Sequence, residues 1–121
     1  MAVSTKSSAV LWNAVSVSAG GTVTLAEQSI ATKISTTIVG NIVNSASSPT
    51  AIPYVALEVK ETGGTWREVS RRYGNTSASN TTAFAFIGEL NDCAFFRLVA
   101  TGNTGNAVTV NAQVHHTDSI G

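Results

Sequence analysis

The chain has 121 residues, a mass of 12.5 kDa, and seven Lys plus Arg against seven Asp plus Glu. That length fits one domain over residues 1–121, and zero net charge removes the basic footprint that nucleic acid or an anionic membrane would need. Charged residues are only 12 %, about half the usual share, which excludes a coiled coil or a charged disordered tail.

Cys93 is the single cysteine, so no intrachain disulfide and no C-x-x-C metal or redox motif is available. Fourteen serines, sixteen threonines and nine asparagines make the chain polar without charge, a composition that suits strands and turns. No apolar run reaches the roughly 18 residues of a membrane helix. Lys6 followed by Ala9-Val10-Leu11-Trp12 mimics the start of a signal peptide, but Asn13, Ser16 and Ser18 interrupt it, and no cleaved leader is expected.

Ala9 to Val17 is expected as the first strand, with Leu11, Val15 and Val17 on one face and Val10 and Trp12 on the other. Ala19-Gly20-Gly21 is a turn, and Thr22 to Leu25 a second strand. Ile30, Ile34, Ile38 and Ile42 recur every four residues, a spacing that both a helix and a strand align. The abundance of Ile, Val and Thr, without a helix cap, selects a strand over Thr32 to Asn44, bent or bulged near Gly40. Ser45 to Pro53 is a loop.

Tyr54 to Glu61 alternates, with Val55, Leu57 and Val59 inward and Glu58 and Lys60 toward water. Thr62-Gly63-Gly64-Thr65 turns it into a return strand over Trp66 to Tyr73, and Gly74 to Asn80 is a loop. Thr81 to Leu90 carries Phe84, Phe86 and Leu90 on one side and Ala83, Ala85 and Ile87 on the other. Asn91-Asp92 turns into Ala94 to Thr101, with Phe96, Leu98 and Ala100 inward. Gly102 to Asn106 makes a last hairpin into Ala107 to His116, with Val108, Val110, Ala112 and Val114 inward. About eight strands at roughly 8–14-residue spacing, mostly joined as hairpins, predict an all-β fold: a single antiparallel β-sandwich, jelly-roll-like. Met1–Ser8 and Thr117–Gly121 are short, polar terminal arms, expected to lie against a neighbouring subunit or a larger shell.

No constellation of reactive residues supports catalysis, so no enzyme activity, cofactor or metal is expected. His115-His116 are adjacent on a strand and diverge, and no other histidine completes a zinc site. Glu58 and Glu68 lie on two arms of one hairpin, where Arg67 and Arg71 make a charge ladder the better reading than a glycosidase pair. Neither a nucleophile elbow nor a phosphate cradle is present, and the Asn75-Thr-Ser and Asn80-Thr-Thr triplets carry no weight without secretion. Lys60, Arg67, Arg71 and Arg72, flanked by Trp66 and Tyr73, form the one basic cluster. Glu58, Glu61 and Glu68 interleave with it and favour a balanced outer face over a nucleic-acid site.

What remains is surplus apolar surface. With Phe96, Leu98 and Ala100 inward, Phe95 and Val99 face outward, and Trp12 lies opposite Leu11 and Val15. A chain with few charges and such a surplus is expected to associate, with Trp12, Phe95 and Val99 as subunit or capsid contacts.

Three stretches carry a resemblance: Val15 to Leu25, the hairpin Leu57 to Arg67, and Phe96 to Val110, each a strand, a glycine turn and a strand. In this style the chain resembles the small β-sandwich virion proteins of tailed bacteriophages, the class that contains capsid decoration (cement) proteins. The resemblance implies a capsid-decorating structural protein on the virion surface, made in the host cytoplasm. Its implied partners are copies of itself, as a trimer, and the major capsid protein of a phage. It brings no catalytic residues, no nucleic acid and no membrane. The alternatives are a tail or head–tail component, or a carbohydrate-binding module with Trp12, Trp66 and Tyr73 as an exposed platform.

Overall fold

A computed structural model describes residues 3–30, 33–90, 93–102 and 105–120. These residues form nine strands and no helix: β1 (Val3–Val17), β2 (Thr22–Thr24), β3 (Gln28–Ser29), β4 (Lys33–Asn44), β5 (Tyr54–Lys60), β6 (Arg67–Tyr73), β7 (Thr81–Ile87), β8 (Phe95–Thr101) and β9 (Val108–Ile120). They build two antiparallel sheets. Sheet A has the order β1-β9-β4-β7, and sheet B the order β2-β8-β5-β6, with β3 also pairing with β8. Taking β2 and β3 as one interrupted strand gives two four-stranded sheets with the alternating connectivity of a jelly roll.

The core lies between the sheets. Ile38, Ile42, Phe86, Val110 and Val114 of sheet A meet Val55, Leu57, Phe96 and Leu98 of sheet B, all fully buried. The alternation read from the sequence places every one of the expected inward residues of β5, β8 and β9 in this core. The stretch with the fourfold Ile spacing is the strand β4, since its Thr, Val and Ile side chains fit a pleated surface.

Three expectations are corrected. First, among the described strands only β5 and β6 form a true hairpin; β1 and β2, and likewise β8 and β9, lie in different sheets, so the links between them cross from one sheet to the other. Strand, turn and strand look alike in sequence whether the second strand pairs with the first or crosses above it. The expected Asn91-Asp92 turn and the Asn103–Thr104 part of the last link lie outside the described residues.

Second, Trp12 is on the inner face, 6 % exposed, while Val10 is 61 % exposed. Register slips between Val10 and Trp12, and again between Trp12 and Val15, so one extra residue reverses the alternation at each bulge. Ala14 takes a positive φ of 49° there, and its N–H donates to Asn111 Oδ1 at 2.8 Å. Asn111 Nδ2 in turn donates to Asn41 Oδ1 at 2.9 Å, which ties the bulge to β4.

Third, β4 keeps its register through Gly40 and slips instead between Lys33 and Ser35. Gly40 is there for close approach: a Cβ would run into the Asn111 carbonyl oxygen and come within 2.6 Å of the Phe84 ring. The terminal segments also pair with each other inside the chain. Val3 stands opposite Ile120 and Lys6 opposite Thr117, extending β1 and β9 as one long ladder.

Leu57→Ala is expected to lower stability by roughly 2–5 kcal/mol, the range for a buried leucine truncated in a packed core. Urea denaturation checks it. A loss under about 1 kcal/mol would mean that Leu57 does not face the core.

Candidate interaction faces

Strand alternation leaves each sheet one outer face, and the two differ in charge. Ten of the charged side chains belong to sheet B or reach it from its flanks: Glu27, Glu58, Lys60, Glu61, Arg67, Glu68, Arg71, Arg72, Glu89 and Arg97. They form five one-to-one pairs. Lys60 meets Glu27 at 2.6 Å, Arg67 meets Glu61 and Arg71 meets Glu68 at 2.8 Å, Arg97 meets Glu58 at 2.7 Å, and Arg72 pairs with Glu89. The hydrogen bond to Glu68 pushes the Arg71 pKa further up, so this cation is permanent. The basic cluster is thus neutralised locally, in the way the interleaved glutamates suggest.

Aromatic rings sit within this charge layer. Trp66 lies under Arg97 at 4.4 Å and Lys60 at 5.0 Å, and Phe95 lies 5.3 Å from Lys60. Tyr54 stacks under Arg71 at 4.2 Å and stands 5.9 Å from Tyr73. Of the expected contact residues, Phe95 and Val99 lie on this outer face, both half-buried, whereas Trp12 is in the core. Glu58 and Lys60 are also half-buried rather than fully in water, because Arg97 and Phe95 of β8 and Trp66, just before β6, lie against them. Glu58 and Glu68 stand opposite each other in register, but each accepts from its own arginine, giving a ladder and not a free carboxylate pair.

Arg72 does something different. It opposes Val55 on the inner side of β6, its Nε donates to the Ala85 carbonyl at 2.9 Å, and its guanidinium covers the Phe86 ring at 4.6 Å. Glu89, which also accepts from Ser70, completes a polar lid over the open side of the sandwich between β6 and β7.

Among the described residues, four successive rows on the outer face of sheet A hold no Lys, Arg, Asp or Glu. One row runs Val10, Gln113, Val39, Ala85 across all four strands, and the next runs Ser8, His115, Thr37, Ile87. Further rows hold Asn111 with Asn41 and Ala83, then Ser16, Thr109, Val43 and Thr81. Lys6 stands on the same face one row further on, opposite Thr117, and Lys33 lies opposite Asp118 toward the terminal end. His115 is on this face and His116 on the other, with His116 Nδ1 3.0 Å from Thr36 Oγ1, so the two imidazoles diverge. Sequence reasoning missed this face because it looked for apolar surplus; the signal was the lack of any Lys, Arg, Asp or Glu at the outward positions from Ala9 to Val17, Thr36 to Asn44 and Val108 to His116.

No family model and no curated protein matches the chain. Solved structures do. A chain in the structure of infectious bursal disease virus, Gx strain, is similar at TM-score 0.64 and 18 % identity, over 95 % of this chain and 32 % of its own. The PBSX exported protein XepA is similar at TM-score 0.57 and 11 % identity, over 95 % of this chain and 38 % of its own. The SPBc2 prophage-derived protein YomS gives TM-score 0.51 and 14 % identity, over 93 % of this chain and 95 % of its own. The chain spans about a third of the viral chain it matches. At these identities the shared property is the fold, a sandwich that recurs in a virus, in an exported protein and in a prophage-derived protein.

Removing Arg72 and removing Arg67 should have unequal effects. Arg72→Ala opens the lid over Phe86 and strands Glu89, and is expected to cost roughly 1–3 kcal/mol. Arg67→Ala breaks an exposed pair and should cost no more than about 1 kcal/mol. Parallel urea titrations compare them; equal effects would mean that Arg72 covers nothing.

Proposed function

We propose that this chain is a structural protein of a bacteriophage particle, seated on the capsid as a decoration (cement) protein and acting without catalysis. The observation that carries the reading is the complete jelly roll, matched over nearly the whole chain both in a virus particle and in a prophage-derived protein of similar length. The balanced, charge-poor composition supports it, since such a chain suits protein contacts better than nucleic acid. Its partners would be copies of itself and the major capsid protein, on the virion surface. The mechanism is mass action: a protein that binds only the assembled shell stabilises it relative to its dissociated parts. A carbohydrate-binding role is less well supported, because Trp12 is in the core and Trp66 is covered by two cations, so the three aromatics form no common platform.

Imaging phage particles assembled with and without the chain tests the reading. Density on the capsid, with particles that rupture at higher temperature when it is present, is the expected outcome. Density confined to the tail or connector would move the role there, and absence from the particle would overturn it.

A further inference from the structure

We infer that the charge-free rows of the outer face of sheet A, from Ser8–His115 to Ser16–Thr109, are a contact between two copies of this chain, related by a two-fold axis. For its purpose the inference rests on the structural-protein reading, but its test reads mass in solution and is separate from particle binding.

Charge decides the occupant. Among the described residues, the rows from Ser8–His115 to Ser16–Thr109 hold no charged side chain, while sheet B holds or borders ten. A partner face bearing ions would lose their hydration against sheet A and find no counter-charge there. This chain's own sheet B is therefore a poor match. The face that matches is another like it, because amides and hydroxyls both donate and accept, so Asn41, Asn111 and Gln113 can meet their own copies without repulsion.

Shape agrees with charge. The bulged region of β1 leaves a concavity of about 330 Å³ on this face, lined by Val10, Val39, Asn111 and Gln113 among others. Ile87, on the far edge strand, protrudes at 69 % exposure. A two-fold axis parallel to the strands lays β7 of one copy over β1 of the other, so each copy's Ile87 descends over the other's Ser8, one row from the Val10 that borders the hollow. A face with both a knob and a hollow is what self-pairing requires.

Size is sufficient. Four strands at about 4.8 Å and seven residues at about 3.4 Å give roughly 19 Å by 24 Å, about 450 Å² in plan. Two faces bring together twice that, and the relief of exposed side chains takes the accessible area past the roughly 1,000 Å² of a specific interface.

Sedimentation velocity across a concentration series tests the contact on the full chain. The expected mass is twice 12.5 kDa. Gln113→Glu places like charges across the axis and Ile87→Glu charges the knob; each should raise the dimer dissociation constant at least about tenfold. Ile87 is exposed enough that its variant should keep the native unfolding midpoint, which covers the case in which Gln113→Glu fails to fold. Phe95→Ser, on the other sheet, should leave the dimer intact. A monomeric or trimeric wild-type mass, or a dimer broken by Phe95→Ser and untouched by the two glutamates, would overturn the inference. A stable dimer absent from phage particles would instead overturn the capsid reading and leave this contact standing.

Discussion

The close packing of two inner apolar faces is the interaction on which the rest of this structure depends. Phe86, Ile38, Ile42 and Val110 on one side and Phe96, Leu57, Leu98 and Val55 on the other exclude water completely. Each such side chain contributes roughly 1.5–3 kcal/mol on burial, far more than any exposed ion pair on sheet B. Because strands alternate, every inner residue fixes the placement of an outer one, and the chain's variety is forced onto the two outer faces. The edges need separate treatment. At the β6–β7 side the gap is covered by Arg72, whose aliphatic stem and flat guanidinium lie over Phe86 while its charge is met by Glu89. At the β1 edge the bulge turns Trp12 inward.

Period-two patterning was legible wherever a strand ran without a bulge. Val55-Ala-Leu-Glu-Val, Phe96-Arg-Leu-Val-Ala and Val108 to Val114 read directly as inner and outer faces, and the fold class followed from them. The Trp12 assignment failed because a bulge is a matter of one residue's φ and one side-chain hydrogen bond. Nothing in Leu-Trp-Asn-Ala announces that Ala14 will adopt a left-handed conformation for Asn111, almost a hundred residues away. The crossings between sheets were hidden for another reason. Local sequence specifies that the chain turns, whereas the sheet it joins is decided by which apolar faces must meet. Glycine turns after β1 and before β9 serve crossings here as readily as hairpins. The charge ladder was legible in outline, but partner choice was not, since Glu58 goes to Arg97 on β8, a strand distant in sequence.

Charge placement joins fold to function. Both sheets have an outer face, yet the glutamates and arginines collect at sheet B and close on each other in pairs. Each pair is nearly neutral at a distance, and with zero net charge the molecule projects little field beyond a Debye length. Two copies, or a copy and a shell, therefore approach without strong steering and without strong repulsion. Whether they stay together depends on short-range fit. That favours a partner held at high local concentration on a lattice of repeated sites over one captured from dilute solution by long-range attraction. A neutral face of valine, alanine and amide groups is adapted to that regime: it carries no ions to desolvate, and its polar groups can trade water for one another at small cost. The same neutrality would be a liability in a chain that had to remain dispersed, so the segregation of charge, more than any single residue, supports the proposed place of this jelly roll in an assembly.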